Sequence, residues 1–127
     1  MTIVSLIGRI IFALYWLESA YNHLFHASHM VGYAASKGIS APALAIRGSG
    51  FLLLLGGLSL LLGFYPTIGI ILIIIFLLGV SFKMHNYWKE TDQMARNMER
   101  IHFWKNIALL AALLMMLAIP QPWFWSV

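Results

Sequence analysis

The run IGIILIIIFLLGV, residues 68–80, carries no charged side chain and is the most apolar stretch of the chain. It lies inside a longer segment that opens at Pro66 and ends near Trp88. Crossing a bilayer as a helix takes roughly 20 apolar residues. A helix also satisfies its own backbone hydrogen bonds where hydrocarbon offers no partner. Three other segments have the same character: about residues 3–24, interrupted by Arg9 and Glu18, about 41–64, and about 101–119, which stops at a Pro-Gln-Pro sequence. Pro42 and Pro66 stand where first-turn prolines are tolerated, and Ser40 is placed to cap the second segment. The expected fold is all-α, a polytopic membrane four-helix bundle forming one domain over residues 1–127, with helices at about 3–24, 41–64, 66–88 and 101–119.

Composition agrees. The 127 residues are 61% hydrophobic and 9% charged, against about 25% charged in soluble domains. Lipid, not water, is the expected solvent. There is no cysteine, which removes disulfides and thiolate metal sites. The net charge is +4, but the basic residues flank apolar spans. Membrane topology accounts for them, and nucleic acid is not an expected partner. The first segment lacks a basic n-region and a convincing small-residue cleavage site, so it reads as a span and not as a cleaved signal.

The connections differ in kind. Residues 25–40 read as a polar, histidine-containing loop, and GFYPT between the second and third segments as a tight uncharged turn. KETDQMARNMER, residues 89–100, holds half of the charged residues. Its Met94 and Met98 are spaced i, i+4, which gives a short interfacial helix one apolar edge. Lys37, Arg47, Lys83, Lys89, Arg96, Arg100 and Lys105 all fall on one side of the bundle, and only Arg9 lies near the other. The positive-inside rule puts the seven in the cytoplasm and both termini outside, in a cell membrane (the inner membrane if bacterial). Trp123 and Trp125 then read as an aromatic belt at the outer interface. Gly50 and Gly57, and likewise Gly56 and Gly63, are seven apart, as expected of helix-packing seams in lipid.

Charge inside a membrane marks a candidate site, because an ionised group near the centre costs at least about 2.5–3.5 kcal/mol. Glu18 is ~22 Å along the first helix and Lys83 ~25 Å along the third, from the same side. At that matched depth a Glu18–Lys83 pair or a shared polar pocket is expected, with Glu18 facing inward. The alternative is that Lys83 snorkels alone to the headgroups. Glu18, Asn22 and His26 follow i, i+4, i+8 and form one polar stripe. On the third helix Lys83 and His85 are about 200° apart, so they cannot both face the bundle. On the fourth, His102, Lys105 and Asn106 share a face.

Two kinds of site are compatible with these groups. Histidine is the commonest metal ligand, and His23, His26 and His85 are the candidates. An HxxHxxH run leaving a helix beside no carboxylate but Glu18 does not make a metal site, however, and neither metal nor haem is expected. A quinone or lipid pocket needs an apolar slot, aromatic walls and a few polar groups. Glu18, Asn22, His85, Trp88, Lys105 and Asn106 supply that mixture, although plain interfacial anchoring would use the same residues.

The order of several short patterns resembles one family. Gly8-Arg9 opens the first helix and LESAYNHL closes it; KGISAP precedes the second, LLLLGGLSLLLGF fills it, KMHNYW ends the third, and FWKNIALLAALL lies in the fourth. Together they resemble the DoxX family of small four-helix membrane proteins. The resemblance implies a four-helix bundle and, loosely, a membrane oxidoreductase system, since the family is named for a subunit of a quinone-reducing thiosulfate oxidation complex. By motif position it points to Arg9, His85, Trp88, Lys105 and Asn106. Relatives often carry an acid on the second helix before the paired glycines, where this chain has GFLLLL, and Ser-Gly where it has Ser19-Ala20. Either Glu18 takes the place of that carboxylate or the inherited site is lost.

The expected function is that of a small subunit of a membrane oxidoreductase system, with a quinone- or lipid-binding pocket at the cytoplasmic end. The alternative is a non-catalytic assembly subunit of a larger membrane complex. An enzyme acting alone is not expected, because no nucleophile–base pair, phosphate loop or cofactor fingerprint is present. Quinone is the one cofactor the residues point to. Membrane lipids, other membrane subunits or further copies of the chain are the expected partners.

Overall fold

The structure is a computed structural model that describes residues 2–126, with the side chain of Thr2 left out of the description. Five α-helices and one 3-10 turn form it: α1 (Thr2–Phe25), α2 (Ser28–Ser36), α3 (Pro42–Leu62), α4 (Pro66–Lys83), the turn Tyr87–Lys89, and α5 (Gln93–Met116). No strand occurs among the described residues. Among the described residues three stretches are long and apolar enough to cross a membrane: Ile3–Phe25, Pro42–Leu62 and Pro66–Lys89, the last running past the end of α4. The fourth long helix, α5, is divided. Arg96, Glu99, Arg100 and Lys105 all lie before Ile107, and from there on the helix is apolar and sends Leu113 into the core.

The helices pack in sequence, α1 on α3, α3 on α4 and α4 on α5, with α2 laid against α3. Hydrophobic burial does not drive this in lipid, where the tails are as apolar as leucine; close packing does. Glycine provides it at two seams. A Cβ on Gly50 would lie 2.8 Å from Leu24 Cγ, and one on Gly57 2.9 Å from Leu17 Cδ2, so both glycines bring α3 onto α1. On the other side of α3, a Cβ on Gly56 would lie 3.1 Å from the Gly69 carbonyl oxygen, which brings α3 onto α4. Gly63 belongs to neither seam. It ends α3 in the left-handed region, with φ of 66°. Between the seams, Trp16, Leu53, Leu60, Ile73, Leu77 and Leu113 are almost fully buried.

Four local features differ from the sequence expectation. Residues 25–40 are not a plain loop. They contain α2, whose Ala34 packs with Ala27 and Ile46 in a small second core. Ser40 does not cap α3, because Ala41 intervenes in the left-handed region and no side chain caps the helix. The third helix ends at Lys83, short of Trp88. The charged segment after it is not a separate interfacial helix either. From Gln93 it is the start of α5, capped by Asp92, whose carboxylate accepts from the Ala95 amide at 2.9 Å.

The segment after α5 folds back across the end of the bundle remote from α2. Trp123 is buried in the core rather than belted at a membrane surface, whereas Trp125 is exposed. Arg9, 8% exposed, holds this segment in place. Its guanidinium donates to the carbonyls of Phe124 (2.6 Å), Trp125 (3.0 Å) and Leu61 (3.4 Å), and lies over the Trp123 ring. Several carbonyl dipoles together can replace the hydration of a buried cation. Arg9→Met keeps the apolar stem and removes the donors. It should cost about 1.5–3 kcal/mol, the worth of a charged hydrogen bond, and expose residues 121–126 to protease. Unchanged melting in detergent with an unchanged cleavage pattern would contradict this role.

Candidate functional site

The helix end at Lys83 creates the site. The amides of Met84 and His85 both return to the Val80 carbonyl, at 2.9 and 3.2 Å, and the chain then leaves the helical path. Asn86 and the 3-10 turn follow, with Tyr87 and Trp88 edge-on to Phe103 of α5. On an unbroken helix Lys83 and His85 would lie about 200° apart and could not share a face. Once the helix breaks between them, both line the same cavity.

That cavity has a volume of about 710 Å³ and lies between α1, α3, α4 and α5 at the end covered by α2. Its deep wall is apolar and aromatic, with Tyr15, Trp16, Leu52, Phe76 and Leu77. Its rim is polar: His23 from α1, His85 from the break after α4, and Glu99, His102, Lys105 and Asn106 from α5. The α5 residues follow i, i+3, i+6 and i+7, one face of a helix.

Glu99 is the centre of the rim. It is 8% exposed, and one of its oxygens lies 3.3 Å from His85 Nδ1 and 3.5 Å from Lys37 Nζ. Lys37, just past the end of α2, also pairs with Glu90 and donates to Asn86 Oδ1 at 3.4 Å. Burial pushes the Glu99 carboxyl up, but Tyr33, His85 and Lys37 outweigh it and hold the group below the ordinary carboxylate range. Burial and then Glu99 push the Tyr33 hydroxyl well up, so it stays a neutral donor, here to the Met84 carbonyl at 3.3 Å. The His85 and His102 rings lie 5.0 Å apart at 30°. His23 Nδ1 donates to the Ser19 carbonyl at 2.7 Å, leaving its other ring nitrogen toward the rim.

A carboxylate whose folded pKa is lowered contributes stability above its unfolded pKa, about 4.3, and loses it as pH falls through the lower folded value. Thermal stability in detergent should therefore fall on acidification below about pH 4.3. Glu99→Gln should flatten that fall. An acid limb of the same depth in the variant would mean that Glu99 is not responsible for it.

The predicted residues divide between the two ends and two faces of the molecule. His23, His85, Lys105 and Asn106 meet at the rim, as do Lys83 and His102. Arg9 is at the opposite end. Glu18 is on the exposed face of α1, Asn22 is half-buried one turn on, and His26 is exposed just past the helix end. None of the three lines the cavity, and Glu18 makes no pair with Lys83. The inward orientation expected of Glu18 is thus not adopted: at position 18 the helix presents Glu18 outward and its neighbours Trp16 and Ser19 to the cavity. Trp88 is exposed and packs on Phe82 and Phe103 outside the cavity. No three histidine or acidic side chains converge as metal ligands among the described residues.

A match to known proteins covers the first four helices. The DoxX family pattern fits residues 4–86. The chain belongs to the DoxX family. This DoxX protein is 31% identical over 121 residues to the inner membrane protein YphA of Escherichia coli (strain K12), a match that covers 94% of this chain and 84% of that protein. No solved structure matches it. With three membrane-crossing stretches and an inner-membrane relative, this DoxX protein is an integral membrane protein. The family match ends at Asn86, so the α5 half of the rim lies beyond it.

Glu99, Lys37 and Tyr33 were not singled out by sequence reasoning. Glu99 is hidden among the charges of residues 89–100, which read as an interfacial connection. The signal that finds it is the Asp92 cap: starting α5 there puts Glu99, His102 and Asn106 on one face. Lys37 and Tyr33 gave no comparable signal, since their role depends on how α2 folds over the rim.

Proposed function

We propose that this DoxX protein binds a quinone in the cavity under α2 and serves as a small subunit of a membrane oxidoreductase system. The observation that supports this most directly is the cavity itself. A volume of about 710 Å³ is within the about 300–1,000 Å³ of small-molecule sites. Apolar, aromatic walls suit a ring and an isoprenoid or alkyl tail, and the few polar groups gathered at one end suit ring oxygens. The chain's part is to bind and orient the quinone, while electrons come from or go to a partner subunit. By the positive-inside rule the rim faces the cytoplasm and both termini face outward.

The test is saturable binding. Titrating the full chain in lipid nanodiscs with a decyl-tailed benzoquinone should quench tryptophan fluorescence to a plateau, and Trp16→Phe should reduce the quenched fraction. Linear, non-saturating quenching equal to that of empty-site partitioning would reject the proposal.

A further inference from the structure

The hydrogen-bonding state of His85 dictates which form of the ligand the cavity holds more tightly. This rests on the proposed quinone site and adds its chemical preference. Glu99 Oε2 faces His85 Nδ1 at 3.3 Å. An ionised carboxylate can only accept, so Nδ1 must carry the hydrogen and donate it. Lys37, 3.5 Å from the same oxygen, favours that ionised form. In a neutral imidazole the hydrogen bond made by one nitrogen fixes the state of the other. His85 Nε2 is then a bare acceptor, and it has no protein partner among the described residues. His85 lines the cavity, so a hydroxyl on the ligand can meet that acceptor.

The oxidised and reduced forms of a quinone differ in this one respect. A quinone ring offers only carbonyl acceptors, whereas a quinol offers hydroxyl donors whose oxygens also accept. Donors for an oxygen are already present: Lys83 and Lys105 at the rim, and the Trp16 indole N–H, which is buried with no partner among the described residues. They serve a carbonyl and a hydroxyl alike. The Nε2 acceptor serves the hydroxyl only, and a carbonyl placed against it meets lone pair with lone pair.

We propose that the cavity selects the quinol over the quinone by accepting a ring hydroxyl at His85 Nε2, with Glu99 holding His85 in the required tautomer. The charged and titratable groups around His85 are Glu99, His102 and Lys105 of α5, Tyr33 and Lys37 from α2 and its end, His29 of α2, Lys83 of α4, Glu90 after the turn, and His23 of α1. Protonating His85 turns Nε2 into a donor and removes the preference.

The test compares the two redox forms anaerobically on the full chain in nanodiscs, using decyl-benzoquinone and its quinol in competition binding. At about pH 8 the quinol should bind about tenfold tighter, one net hydrogen bond. The ratio should shrink towards unity at about pH 5, below the ordinary imidazole range. In Glu99→Leu the acceptor for Nδ1–H is lost, the tautomer is no longer fixed, and the ratio should shrink towards unity, whereas Glu99→Gln, whose amide oxygen can stay beside Lys37 and still accept from Nδ1–H, should keep the preference. Equal affinities or a tighter quinone in the unaltered protein at about pH 8 overturn the preference while leaving the cavity as a quinone site. Failure of both forms to bind overturns both readings. If Glu99→Leu does not fold, the pH comparison on the unaltered protein decides alone.

Discussion

Gly56→Leu is expected to destroy the folded bundle, with a loss of more than about 3 kcal/mol, the upper end of overpacking penalties. A new Cβ there would sit 2.5 Å from Ile73 Cγ1 and 3.1 Å from the Gly69 carbonyl oxygen. Ile73 could change rotamer, but Gly69 is backbone and cannot yield unless α3 and α4 separate. Separation also undoes the reciprocal fit at Gly69, whose own Cβ would approach the Gly56 carbonyl to 3.2 Å. The control is on the same helix. A Cβ on Gly48 meets nothing within 4 Å, so Gly48→Leu should not destabilise the bundle and should gain up to about 0.8 kcal/mol from helix propensity. Thermal melting and trypsin resistance in mild detergent read both variants. A Gly56→Leu protein that melts with the unaltered one would show that α3 and α4 do not meet at this seam.

The second large effect concerns the cavity and leaves the fold intact. Gly79 of α4 lines the cavity, yet a Cβ on it would meet nothing within 4 Å. Gly79 is itself exposed, so this space is open at the outer side of the cavity. Gly79→Leu therefore grows into open space beside the cavity rather than into protein, and leucine is also the better helix former by about 0.8 kcal/mol. The expected outcome is a protein at least as stable as the original that binds decyl-benzoquinone at least about a hundredfold more weakly, or about 2.7 kcal/mol. Full-strength binding to a well-folded Gly79→Leu protein would place the quinone elsewhere. The two glycine changes separate stability from binding, which no rim substitution does as cleanly.

The apolar runs made the membrane helices legible because span length and hydrocarbon thickness are tied by the helical rise. The seam glycines were legible for a similar reason: spacing along α3 assigns them to faces before any partner is known. His85, Lys105 and Asn106 could be grouped at one end of the bundle from helix count alone. Glu18 could not be oriented. Depth is readable from position along a helix, but the face of α1 that meets α3 is decided by Leu17, Leu24, Gly50 and Gly57, and those contacts turn Glu18 outward. The break after Lys83 was equally hidden, since no proline or glycine follows it and KMHNYW could continue a helix. That break puts Lys83 and His85 in one cavity. Glu99 was missed because α5 begins in a segment whose charge density resembles a surface connection.

The proposed quinone site under α2 can be probed by native mass spectrometry of the protein extracted gently from its own membrane, with Gly79→Leu prepared in parallel. An adduct of quinone or quinol mass is expected on the unaltered chain and not on the Gly79→Leu chain. Phospholipid adducts alone on both, or a quinone adduct equally retained by Gly79→Leu, would contradict the proposed site.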